Sequence, residues 1–178
     1  YLIMPKNKLH VSYKLSFEQL ALVETLGIGS HAVNRAEVGA KDTVLVIGAG
    51  PIGMAAMLFA KLKGAEVVIA VDFNQKRLDF AKEHIEIDQV YSINSEFNQA
   101  ELRILLNGKL PNIVFDATGN QNSMEKAFNY PCSGGKLVFI GLFIGDVKFF
   151  DPDFHRRELT VMSSRNALPE DFTYIIDQ

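Results

Sequence analysis

The run Val44-Leu-Val-Ile47 gives way at once to glycines at 48, 50 and 53. A short, mostly β-branched run is a strand signal. Met54 to Leu62, dense in alanine, leucine and methionine, is a helix signal. Few chain paths join a strand to a helix within so few residues, and a G-x-G-x-x-G turn is one of them. Gly48 permits the tight turn out of the strand. Gly50 has no Cβ, so an anion can approach the backbone. Gly53 lets helix and strand pack closely. Pro51 suits the first helical position, where its missing N–H would have had no intrahelical partner. The first free amides of the helix, from Ile52 and Gly53, then face the anion with a partial charge of about +0.5 behind them.

Glycine turns alone are common, so the residues beyond this one matter. Gly64 reads as the helix stop. A second apolar strand, 66–71, ends in Asp72, which lies 19 positions after Gly53. That is close to the offset of ~20 at which an acid binds the ribose of a dinucleotide. The alternative, that Asp72 caps the next helix, leaves the glycines unexplained. A carboxylate can accept both ribose hydroxyls. A 2′-phosphate about 4 Å away would meet a repulsion of ~4 kcal/mol per unit charge at an effective dielectric of ~20. NAD is therefore favoured over NADP. Phe73 adds no compensating charge. Lys76 and Arg77 either reach the ribose or adenine or lie on a solvated helix face. Because they are basic, NADP use stays open.

From Lys41 onward, strands and helices alternate. Strands are expected at 43–48, 66–71, 89–92, 112–117, 136–141 and 158–163, and helices at 52–63, 74–84, 95–106, 120–130 and 169–177. Apolar runs without clean alternation, separated by helices, mark a parallel sheet covered on both faces. With right-handed crossovers this is an α/β, doubly wound, six-stranded sheet, a three-layer α/β/α Rossmann fold. Its ligand crevice lies outside the carboxyl ends of the strands. The first strand ends in the glycine turn, the second in Asp72 and Phe73, and the fourth in Ala117-Thr118-Gly119. The fifth ends in Gly141-Leu142 and the sixth in Ser164-Arg165. All are expected to line one cleft, with Ala117, Thr118 and Gly119 beside the adenosine or ribose. Gly141 and Ser164 fall near the nicotinamide-ribose.

Upstream, Ser16 and Gln19 can form a capping pair for a helix over 16–36. Gly27 and Gly29 are expected to split or kink it. The opening residues, Tyr1 to Val11, read as part of a strand, and both chain ends read as cut from a longer protein. The composition is that of a water-soluble domain, with 48% hydrophobic and 22% charged residues. A net charge of −3 supplies no basic field for nucleic acid or an anionic membrane. The longest apolar runs are too short to cross a bilayer. The single Cys132 rules out an intrachain disulfide and a cysteine-based zinc site. No basic leader is visible, and a cytoplasmic location is expected.

Several longer stretches together resemble the nucleotide-binding half of zinc-type alcohol dehydrogenases, of the medium-chain dehydrogenase/reductase family. They are the segment Leu22 to Ala36, Val44 to Gly53, Asp116-Ala-Thr-Gly119, Gly134 to Gly141 and Arg157 to Asn166. They occur in the family's order and cover nearly the whole chain. Within the family the chain is most similar to the sorbitol, threonine and sugar-acid dehydrogenase branch. There the stretch at Glu24 usually reads Glu-Pro-Leu and its Glu can approach the catalytic zinc. Here Thr25 replaces the proline, and Glu24 is either zinc-proximal or an ordinary helix residue.

The resemblance implies a parent enzyme that moves a hydride between a secondary alcohol, of a polyol or sugar acid, and NAD. It places the zinc ligands outside these residues, so no catalytic and no metal-ligating residue is expected here. None of His10, His31, His84 and His155 has ligand spacing. His31 is expected to pack on the helix leading to the sheet, His155-Arg-Arg-Glu158 to form a surface turn, and Cys132 to be inert. Residues 1–40 then read as a strand and helical lead-in from a truncated catalytic domain, and 41–178 as the NAD(P)-binding domain. A homo-oligomer is expected through the sixth-strand edge. Two other readings are a non-catalytic dinucleotide-sensing module and an S-adenosylmethionine-dependent methyltransferase. The second also pairs a glycine turn with an acid, but it does not need Gly53 inside the helix start.

Overall fold

The computed structural model describes residues 2–93 and 97–178. A long helix, α1 (Phe17–Ala36), leads into an alternating series. This runs β1 (Thr43–Ile47), α2 (Pro51–Leu62), β2 (Val67–Asp72), α3 (Gln75–His84), β3 (Gln89–Ser92) and α4 (Gln99–Leu105). It continues with β4 (Ile113–Asp116), α5 (Gln121–Ala127), β5 (Lys136–Phe139), α6 (Asp151–Arg156), β6 (Thr160–Ser163) and α7 (Pro169–Asp177). The sheet order is β3-β2-β1-β4-β5-β6, and every pair is parallel. The expected doubly wound architecture is what the chain adopts.

Period-2 alternation along the strands divides the core between two faces. Val44 and Val46 join a core with Met57 and Phe59 of α2, Leu78 of α3 and Ile175 of α7. Leu45 and Ile47 point the other way, to Leu102 of α4 and Phe128 after α5. Because β1 is buried on both sides, it can be apolar at every position. Fully burying each such side chain stabilises the fold by roughly 1.5–3 kcal/mol. The order reverses at β1, between β2 and β4, which opens the crevice at the carboxyl ends of these strands.

Several local expectations need correction. Among the described residues, 2–11 form no strand; Lys6–Lys8 make a single 3-10 turn. Leu2 and Ile3 are exposed, and nothing pairs with this segment to build a ladder. Next, α1 runs unbroken through both glycines. Its capping box is as expected, Gln19 N–H donating to Ser16 Oγ and Ser16 N–H to Gln19 Oε1. The glycines are contact residues rather than breakers. A Cβ on Gly29 would lie 2.5 Å from Ala55 Cβ, so their absence lets α1 settle on α2. The helix α6, which starts at Asp151-Pro152, is too short to show periodicity and went unforeseen. Finally, residues 157–158 do turn, with His155, Arg156 and Glu158 exposed, but the Arg157 side chain faces inward. It is 6% exposed and donates to the carbonyls of Pro131 and Phe128. The helix expected over 95–106 begins at Gln99; residues 95 and 96 lie outside the described residues.

Candidate functional site

The turn between β1 and α2 has the geometry its glycines foretell. Gly48 has φ +95°, where a side chain would be strained, and its N–H donates to Val71 O at 2.8 Å. A Cβ on Gly53 would fall 1.8 Å from Gly48 O, so helix and turn meet backbone to backbone. A Cβ on Gly50 would meet nothing within 4 Å, because this residue faces open space. Gly50 is the N-cap of α2, Pro51 follows at the first position, and no side chain caps the helix. Met54 N–H donates back to Gly50 O. The amides of Ile52 and Gly53 precede it in the first turn, where intrahelical acceptors are lacking. The result is a helix start offered to an anion.

Asp72 stands at the carboxyl end of β2, nine-tenths buried. Oδ2 accepts Ala49 N–H at 2.6 Å and Oδ1 accepts Asn74 N–H at 2.7 Å. The first bond ties the acid to the glycine turn. The second fixes its rotation. Each oxygen keeps a lone pair for a further donor. The capping alternative fails: the side chain at the head of α3 is Asn74, which accepts Arg77 N–H. Arg77 Nη1 lies 4.0 Å from Asp72 Oδ2 and is half exposed.

These groups open onto one cleft of about 550 Å³. Its walls include Gly48, Gly50, Asp72, Phe73, Arg77, Ala117 and Thr118 from the expected set. Other expected residues stand outside its lining. Gly119 and Gly141 pack backbone to backbone, since a Cβ on Gly141 would fall 2.2 Å from Gly119 N. Leu142 is 82% exposed, Ser164 is buried at the end of β6, and Arg165 is exposed. Pro51, Ile52 and Gly53 form the adjoining helix start.

The cleft also holds residues the sequence reading missed: Ile93, Phe97, Asn120, Asn122, Ser123, Lys126 and Tyr130. Ile93 follows β3, the one strand whose carboxyl end was left out of the expected site. Asn122, Ser123 and Lys126 lie on α5, and following the strand-end rule into the next helix would have found them. Beneath them is Asp116, fully buried, accepting Ser123 Oγ at 2.6 Å and Thr118 N and Oγ1 at 2.9 and 2.7 Å. Burial pushes its carboxyl above the usual range, against the pull of these three donors. Burial, together with the Asp116 charge, pushes the Tyr130 phenol up to about 12.

Among the described residues, no group of three or more His, Cys, Asp or Glu could hold a metal ion. Glu24 is exposed on α1. Burial raises the Cys132 thiol, which makes its thiolate scarce at neutral pH. No helix among the described residues is long and apolar enough to cross a membrane.

An uncapped helix start beside a buried acid at the switch point of a parallel sheet is the arrangement found in doubly wound nucleotide folds. Residues 51–178 match the family described as zinc-binding dehydrogenase, and the chain belongs to that family. It is 41% identical over 175 residues to L-galactonate-5-dehydrogenase of Escherichia coli K12, covering 98% of this chain and 51% of the relative. It is 38% identical over 143 residues to sorbitol dehydrogenase of Bos taurus, covering 77% of this chain and 40% of the relative. The chain thus spans about half or less of the length of the curated relatives it matches. In structure it is similar to a short chain alcohol dehydrogenase of Escherichia coli CFT073 solved with NADH. The TM-score is 0.84 at 24% identity, covering 94% of this chain and 49% of that one, a likeness in fold. Kinship with polyol and sugar-acid dehydrogenases bears out the resemblance read from the sequence, and family membership removes the methyltransferase reading.

Proposed function

We propose that this chain is the coenzyme platform of an NAD-dependent dehydrogenase that oxidises a secondary alcohol of a polyol or sugar acid. The observation that carries the reading is Asp72, held by Ala49 N–H and Asn74 N–H at the mouth of the uncapped helix α2. In this reading the amides of Ile52 and Gly53 and the open side of Gly50 receive the pyrophosphate. Asp72 accepts the adenosine ribose hydroxyls, with Phe73, Arg77, Ala117, Thr118 and Gly119 around the adenosine. Gly141, Leu142, Ser164 and Arg165 serve the nicotinamide-ribose.

When bound, the nicotinamide supplies the hydride acceptor. The residues of this chain bind and orient it. The described residues do not fit a zinc site. In the family resemblance the metal belongs to other residues. Residues 1–40 serve in this reading as the lead-in from a catalytic domain, and 41–178 as the NAD(P)-binding domain. Association into a homo-oligomer through β6 and a cytoplasmic location complete it.

NAD is preferred over NADP because Asp72 would repel a 2′-phosphate and Arg77 already lies near that carboxylate. The polyol or sugar-acid class follows the two relatives named above. Calorimetric titration with NAD and NADP tests the proposal. Weak but measurable NAD binding, roughly tenfold or more tighter than NADP, is expected. Silence with NAD, or tighter NADP binding, would overturn it. A sensing module without catalysis binds NAD equally well, so it is separated by hydride transfer in the longer protein.

A further inference from the structure

Away from the cleft, α7 carries a buried carboxylate for which dinucleotide binding has no direct use. Asp171 is 2% exposed. Its Oδ2 lies 2.9 Å from His31 Nδ1 and accepts Leu168 N–H at 2.8 Å, while Oδ1 accepts Asn34 Nδ2 at 2.8 Å. A carboxylate only accepts, so this contact assigns the imidazole proton to Nδ1. The carboxylate also sits in the first turn of its helix, where the dipole favours it.

Gly27, His31 and Asn34 are spaced i, i+4, i+7 along α1, which sets them on one stripe. A Cβ on Gly27 would fall 2.9 Å from Ala167 Cβ and 3.1 Å from the Phe172 ring. One stripe of α1 therefore grips the chain at Ala167, at Leu168 through Asp171, and at the first turn of α7. The other end of the connection is pinned by the sheet, where Ser164 N–H donates to Phe139 O at 2.9 Å. Between the two anchors lie Arg165 and Asn166, the latter with φ +59°. Among the described residues, the buried Ser164 Oγ has no hydrogen-bond partner. A buried hydroxyl left in that state is costly and ready for a ligand group.

We propose that His31, Asn34 and Asp171 are positioning residues that clasp the 164–168 connection to α1 and so set the wall facing the nicotinamide half of the coenzyme. The proposal rests on the dinucleotide reading above. None of the three residues touches the coenzyme. They hold Ser164 Oγ and Arg165 in place for the polar edge of the nicotinamide-ribose. The adenosine half, gripped by β1, β2 and β4, does not depend on them.

The test is titration of the chain with NADH and with ADP, which lacks both the nicotinamide and its ribose. In His31→Leu the NADH affinity should fall by roughly five- to tenfold while ADP affinity changes less than about twofold. His31→Gln, which can still donate to Asp171, should restore most of the loss. Parallel losses for both ligands, or an unchanged ratio in a folded variant, would overturn the clasp. If His31→Leu does not fold, Asn34→Ala carries the same ratio test, because it leaves the His31–Asp171 pair in place. Should the unmodified chain bind neither ligand, the dinucleotide reading fails on its own. Amide exchange then judges the clasp separately. Residues 164–168 must exchange roughly tenfold faster in Asn34→Ala with the sheet unchanged, and equal rates would refute it.

Discussion

Ala49 donates its amide to Asp72 Oδ2 at 2.6 Å, joining the turn after the first strand to the end of the second. One carboxylate oxygen thus shapes the glycine turn, and its spare lone pair remains for a sugar hydroxyl. In the proposed function, turn geometry and ribose recognition are coupled through this single side chain.

Replacing that acid tests the coupling. Asp72→Asn puts an amide group where two backbone N–H groups need acceptors, and it removes the charge that disfavours a 2′-phosphate. NAD affinity should fall roughly tenfold or more, worth ~1.4 kcal/mol or above. NADP affinity should fall less or rise. Titration of both coenzymes decides it, and equal losses would contradict the charge argument.

Two glycines of the same turn should behave oppositely. In Gly53→Ala the new methyl meets the Gly48 carbonyl, a backbone atom with nowhere to go. A loss of ~2 kcal/mol or more in folding stability is expected, seen as a lower urea midpoint. In Gly50→Ala the methyl meets nothing in the chain. Stability should change by less than about 1 kcal/mol. NAD binding should nevertheless weaken about tenfold, because the methyl stands where the pyrophosphate would lie.

Tyr130 makes a prediction about alkaline pH. Its phenol sits at about 12 in the folded chain. An unfolded phenol lies near ~10. Between these values the folded state holds the proton and the unfolded state releases it. This group's contribution to stability is therefore complete below pH ~10 and is lost as pH rises toward 12. Tyr130→Phe cannot titrate. Unfolding curves taken from pH 9 to 12 should show wild type losing on the order of 1–2 kcal/mol more than the variant.

Arg157 ties α6 to the chain after α5, through the carbonyls of Phe128 and Pro131 and an ion pair to Asp153 at 2.6 Å. Arg157→Met keeps much of the volume and leaves two buried carbonyls without these donors. A loss of ~2–4 kcal/mol in stability is expected. ADP-ribose affinity of the surviving folded fraction should stay within about twofold of wild type, measured by calorimetry. A variant as stable as wild type would show that the arginine contributes only volume.

What could be read in advance was whatever the chain writes within one strand–turn–helix unit. The placement of Gly48, Gly50, Gly53 and Asp72 around one turn was readable because β1, α2 and β2 are neighbours in sequence and β1 pairs with β2. The expected strands at 43–48, 89–92 and 136–141 fell within two residues of those observed, since β-branched runs between turn signals are local. Through-space partners were beyond reach. His31 and Asp171 are 140 positions apart, and nothing in either neighbourhood names the other. Phe97 and Tyr130 line the cleft with ring centroids 5.3 Å apart, a meeting of two segments far apart in sequence. Gly27 and Gly29 misled for a related reason. Propensity counts a helical glycine as a defect of ~1 kcal/mol, while the folded chain uses the missing methyl for a close helix approach.

The seat of Gly29 on Ala55 bears on anyone who wishes to shorten this polypeptide. Starting it at Lys41, the apparent edge of the nucleotide fold, would peel α1 away and wet the alanine face of α2. A trimmed version that keeps its shape has to begin ahead of Ser16.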